Sequence, residues 1–284
     1  MIEKYYNGVI EQVAGGIGNV EHNSILVRYS NDFSIWDLES VNHYKDQTDI
    51  FFTCHEFSYN KIAEAYEPYL GLIRQMFHKY CSGTLEEFME ECDVYKLQRP
   101  VFESYFEKGF CERTEQILID EVEYEQERMH SSIVTMLQKL SEICPIVIVL
   151  NRFQLASKST MQLTNRLLQT KNKNIGIVLG VNDVQSIPEF AHEEWDAICE
   201  SMDDRNMVYH IGNAGRNMEP DVMDYYSDYE SDDGYRKLNN LVYFLDFDQA
   251  DHHLSKIERR IKFDNFTISE KKHYQLLLLQ IMVS

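Results

Sequence analysis

A chain of 284 residues in which 44% are hydrophobic can bury one large core, or a core with an appendage. Its 47 acidic residues against 27 basic ones leave a formal charge of −20, which repels phosphate backbones and anionic lipid. That balance excludes a general nucleic-acid or membrane-surface role and leaves a basic protein partner open.

Six cysteines (Cys54, Cys81, Cys92, Cys111, Cys144, Cys199) are scattered without a C-x-x-C pair, as expected of mostly buried thiols in a reducing, cytoplasmic protein. The polar start resembles no secretory signal, and the apolar run Leu276 to Leu279 is far too short to span a bilayer. No His and Cys stand at zinc spacing, His252–His253 being an isolated adjacent pair, so no metal site is expected.

Residues 1 to about 15 carry Tyr5, Val9 and Val13 on one helical stripe. Gly15, Gly16 and Gly18 follow a helix rather than a strand, with no Lys-Ser/Thr at Walker A spacing, so they are predicted to stop that helix. Ser24 to Tyr29 (SILVRY) is the first predicted strand, followed by a loop and a helix over 35–43. Ile50 to Cys54 is the second strand. Ser58 is predicted to cap a long helix bearing Ile62, Tyr66, Leu70, Ile73, Phe77 and Tyr80, kinked or broken at Pro68. Helical pieces broken near Pro100 and Gly109 come next. A long helix is then predicted over 114–143, with Met129, Ile133, Leu137 and Leu140 on one face and a solvated acidic face that includes Glu125.

Five aliphatic residues, Ile146 to Leu150, lie between Pro145 and the polar pair Asn151–Arg152. A run so short and uniform suits a central parallel strand buried on both faces. Ser157, Ser159 or Thr160 would cap the next helix. Asn174 to Val181 is a further buried strand, a helix is predicted near 191–202 with His192, Glu193 and Glu194 as its polar start, and Met207 to Ile211 is a fifth strand. Alternating strands and helices predict an α/β chain: a three-layer α/β/α sandwich around a mostly parallel five-stranded sheet. From Glu219 to Asp233 seven acidic residues and no Lys or Arg predict a linker, without the ligand spacing of a calcium loop. Beyond it, Leu238, Leu241, Leu245 and then Ala250, Leu254, Ile257 mark two amphipathic helices, and Ser269 opens a third. The division expected is an α/β domain over 1–216, an acidic linker over 217–235 and a helical segment over 236–284 that continues into an array beyond Ser284.

The stretch PIVIVLNRFQLASKST, the strand NIGIVLGVND and the segment Phe51 to Met76 together resemble the P-loop ATPase module of STAND and AAA-like bacterial signalling proteins. LNNLVYFLDFDQADHHL resembles the start of tetratricopeptide repeats. Gln154, Ala156, Ser159 and Thr160 match the text that trails that family's Walker B strand. The resemblance implies a P-loop-like fold whose phosphate loop would be Ser30, Asn31, Asp32, Phe33, Ser34, Ile35 and Trp36. That loop holds no glycine and no lysine, so neither an anion nest nor a phosphate counter-charge is present. Asn151 and Arg152 stand where the two Walker B carboxylates belong. Both losses together predict a catalytically inactive sensory or protein-interaction module, with no cofactor, and with an output domain, a protein partner or a second copy as its partner. An NTPase or other nucleotide-binding hydrolase with non-standard ligands is the competing expectation.

His55, Glu56, Asn151, Arg152, Asn182 and Asp183 stand at predicted strand ends, where open α/β sheets form their ligand crevice. They would either line a retained small-molecule site, or Arg152 pairs with Glu56 or Asp183 as structural support. His55 and Glu56, being adjacent on extended chain, point opposite ways and cannot act together directly. No G-x-S-x-G elbow and no H-E-x-x-H is present.

Overall fold

Aliphatic runs form the two central strands of the sheet, and more mixed segments flank them. The computed structural model describes residues 2–18, 23–29, 35–45, 47, 49–58, 61–109, 122–170, 172–182, 187–203, 208–211 and 232–261. Its strands are β1 (Ser24–Tyr29), β2 (Phe51–Glu56), β3 (Ile146–Asn151), β4 (Ile175–Asn182) and the short β5 (Val208–Ile211). They lie in the order β2-β3-β4-β1-β5, every described pair parallel. Each residue of β3 and β4 is buried, as both-face coverage demands.

Successive side chains alternate across the sheet and so divide between two cores. Ile146, Ile148, Leu150, Ile175, Ile177 and Leu179 face one core, while Val147, Val149, Val178, Ile25 and Val27 face the other. The smaller face receives helix α1 (Ile2–Gly15), whose Tyr6, Val9, Ile10 and Val13 press onto it. Two glycines of β4 permit that approach. A Cβ on Gly176 would lie 2.6 Å from Val13 Cγ1, and one on Gly180 would lie 2.6 Å from Asn151 Oδ1 and closer still to the Tyr6 hydroxyl.

Helix α2 (Glu39–Lys45) follows β1 and packs beside α1 and β2 on the same face. The crossover from β1 to β2 runs one way along the sheet and the later crossovers run back, so right-handedness puts later helices on the opposite face. There lie α3 (Tyr69–Tyr80), α4 (Leu85–Glu91), α5 (Arg99–Lys108), α6 (Val122–Ile143), α7 (Lys158–Gln169) and α8 (His192–Asp203). Helices α9 (Asp232–Tyr243) and α10 (Phe247–Ile261) add Leu238, Leu241, Ala250 and Leu254 to that larger core, and the turn between them adds Phe244. No helix of the described residues is long and apolar enough to cross a membrane.

Several boundaries differ from the sequence expectation. The long helix capped by Ser58 does not form; α3 starts after Pro68, which stands at its N-cap. Proline lacks the N–H and disfavours helical backbone before it, and Tyr66 takes φ 56°, so the chain turns over 61–68. Ile62 and Tyr66 are buried all the same. Pro100 opens α5 instead of breaking a helix, and Gly109 closes it at φ 76°. Strand β2 runs two residues further than expected, taking in His55 and Glu56. Glu125, read as solvated, is buried where its carboxylate accepts from Gln98 Nε2 at 3.0 Å and Arg128 Nη1 at 3.0 Å. Helix α9 begins within the stretch read as an acidic linker; 217–231, the region before α6 and the helix from Ser269 lie outside the described residues.

Candidate functional site

The C-terminal ends of β1 to β4 gather most of the residues named from the sequence. Asn151 closes β3 on the α1 side of the sheet, fully buried, with Oδ1 accepting from the Tyr29 hydroxyl at 2.7 Å. Its Nδ2 has no hydrogen-bond partner among the described residues. Burial raises the Tyr6 phenol well above its ordinary value, reinforced by Tyr29, Cys54 and Glu56 nearby. Cys54 is likewise pushed up to about 12 by burial, which leaves it a thiol and a poor nucleophile.

Arg152 leaves the strand with left-handed backbone, φ 53°, and begins the tight 3-10 turn Phe153–Leu155. Its guanidinium reaches Glu56, Nη2 to Oε1 3.6 Å, with only 21% and 12% of the two side chains exposed. Glu56 is thus the partner seen for Arg152, of the two that the sequence offered it. His55 points to the other face, as alternation requires, with its ring 4.4 Å from Phe57 and Nε2 3.5 Å from Glu67 Oε1. Burial depresses His55 to about 4, so near neutral pH the imidazole is uncharged and the Glu67 contact is not an ion pair. Asn182 is buried at the end of β4, its N–H donating to Gln154 Oε1 at 3.3 Å. Asp183 lies outside the described residues, as do Ser30 to Ser34. Ile35 is buried in the α1 face and Trp36 is half exposed.

Asn151, Arg152, Glu56 and Asn182 are thus brought to one end of the sheet, and His55 stands behind it. Tyr6, Tyr29 and Gln154 belong to the same region and were not singled out there by chemistry.

Beyond Arg152 a cluster of hydroxyls fixes the chain. Ser157 is the N-cap of α7, accepting from Thr160 N, and its own hydroxyl donates to Glu64 O at 2.9 Å. Ser159 Oγ accepts from Tyr66 N at 3.3 Å, and the Thr160 hydroxyl donates to Glu67 O at 3.1 Å. These bonds tie the non-helical segment 61–68 to the start of α7. Ser157→Ala removes a buried cap and a second bond, so it is expected to cost about 1–2 kcal/mol by urea unfolding.

The arrangement can accept and donate hydrogen bonds but offers no carboxylate at the end of β3 for a divalent cation. No three His, Cys, Asp or Glu side chains among the described residues are placed to hold a metal ion. Comparison of the chain with models of known families and with curated proteins gives no match.

Proposed function

We propose that this chain is a P-loop-like α/β module that has lost phosphate chemistry and serves as a sensory or protein-interaction part of a larger cytoplasmic signalling protein. In this reading the α/β unit over 1–216 forms a three-layer sandwich with a five-stranded sheet, and the helices beyond 236 begin a tetratricopeptide-like segment. The observation that carries the reading is the end of β3. Asn151 and Arg152 stand where metal and water chemistry would need carboxylates, and both are engaged, one with Tyr29 and the other with Glu56. A second observation supports it. The helix after β1 is only the seven-residue α2 on the β2 side, while the central strands are covered by α1 from the other end of β1. Among the described residues no long helix lies between β1 and β2 to aim its N-terminus at a phosphate.

Isothermal titration with magnesium-ATP tests this directly. No heat of binding is expected up to millimolar nucleotide; micromolar affinity with phosphate release would establish the hydrolase reading instead. That alternative draws its support from Asn151 Nδ2, a buried donor at the sheet's carboxyl end that a ligand acceptor would satisfy.

A further inference from the structure

The turn between α9 and α10 places one carboxylate at the start of two helices. Asp246 is 4% exposed, and its backbone carbonyl accepts from Ala250 N at 3.0 Å, which makes it the N-cap of α10. Its carboxylate accepts from the Gln249 backbone within that helix and also from Ser159 N, at 2.9 Å, in the first turn of α7. Helix N-termini carry unpaired N–H groups and partial positive charge, so a single anion satisfies both ends at once. Around it, Gln126 Nε2 donates to Leu245 O at 2.6 Å and Lys158 Nζ contacts Asp248 at 2.6 Å. The Tyr66 ring lies edge-on to Phe244 at 5.7 Å. Beside the carboxylate is a pocket of about 200 Å³ bordered by Tyr66, Gln126, Gln162 and Phe247.

We propose that Asp246 is the coupling point between the Arg152–Glu56 pair at the strand ends and the α9–α10 pair. Arg152 starts the short turn that leads into the Ser157 cap, and Ser159 follows two residues later. A displacement of Arg152 or Glu56 therefore moves the first turn of α7, and the shared carboxylate passes it to α10. The inference deepens the sensory reading, resting on it for its purpose, whereas the coupling itself is measurable with no ligand.

Hydrogen exchange on the full chain provides the test. Asp246→Asn is expected to speed exchange in the first turns of α7 and α10 about five- to tenfold while β3 and β4 stay protected. Asp248→Ala, at an exposed pair, should leave both within twofold. Arg152→Ala in the otherwise unchanged chain should speed exchange at the start of α10, and this effect should vanish in the Asp246→Asn background. If the Arg152 effect is absent, or persists undiminished without the carboxylate, the coupling is refuted. A uniform rise across β3, β4 and α10 in Asp246→Asn would refute it too, by assigning Asp246 to general stability. Magnesium-ATP hydrolysis would overturn the functional reading and leave these exchange results standing.

Discussion

Gly180→Ala is expected to destabilise the protein by about 2 kcal/mol, in the middle of what overpacking costs in a packed core. The backbone there is ordinary strand, so the effect is steric. The new Cβ would enter the space held by the Tyr6 hydroxyl and approach Asn151 Oδ1 to 2.6 Å. Because Tyr6 sits on α1 and Asn151 on β3, relief requires moving a helix or turning the Asn151 amide away from Tyr29. Tyr6→Phe should make the same glycine change less costly by roughly 0.5–1 kcal/mol, a coupling that a double-mutant cycle in urea would read. A Gly180→Ala midpoint matching the parent would mean that α1 does not press on β4 as described.

Acid should weaken the fold well before its carboxylates titrate in bulk. His55 and His130 are both held at about 4 by burial; for His130 the Glu127 charge opposes that shift and Arg166 adds to it. The unfolded chain titrates near its ordinary value of about 6.5, above the folded value in each case. Both states are neutral above that pH and the full stability is present. As pH falls from about 6.5 toward 4, the unfolded chain takes up protons that the folded chain refuses, and stability is lost. Each histidine accounts for about 2 kcal/mol of loss by pH 5, at ~1.4 kcal/mol per unit. Glu67 and Asp246 work in the opposite sense, since burial raises their folded values and their contribution fades as pH rises. Replacing His130 with leucine should remove roughly half of the slope between pH 6.5 and 5 in urea midpoints. A parent profile flat over that window would contradict the burial of both imidazoles.

The strands were legible because their chemistry is local. SILVRY matches β1 residue for residue, and the runs after Pro145 and Asn174 fall within a residue of β3 and β4. The end of β2 was not, because His55 and Glu56 look like loop residues until β3 is seen to pair with them. The helix misread before Pro68 shows the same limit: Ile62, Tyr66 and Leu70 keep helical spacing, yet the first two are buried from an irregular segment held by Ser157 and Thr160. Spacing records which residues are inside and not always the backbone that puts them there. At the site, the polar residues at strand ends were readable from strand position alone. Tyr6 and Asp246 were not, since each acts on residues far along the chain, and a long-range approach leaves no periodic trace.

Helix α1 has a consequence for how the protein is made. Its seat consists of β1, β3 and β4, and its closest floor is Gly176 and Gly180. On a ribosome the helix therefore emerges long before that floor exists, and its stripe of Tyr6, Val9, Ile10 and Val13 must wait while β2 and the helices up to α7 are synthesised. Such distant pairing slows folding and leaves apolar surface open to wrong partners in the interval. The element that closes one face of the sheet is the first of the described elements to be made and among the last able to dock.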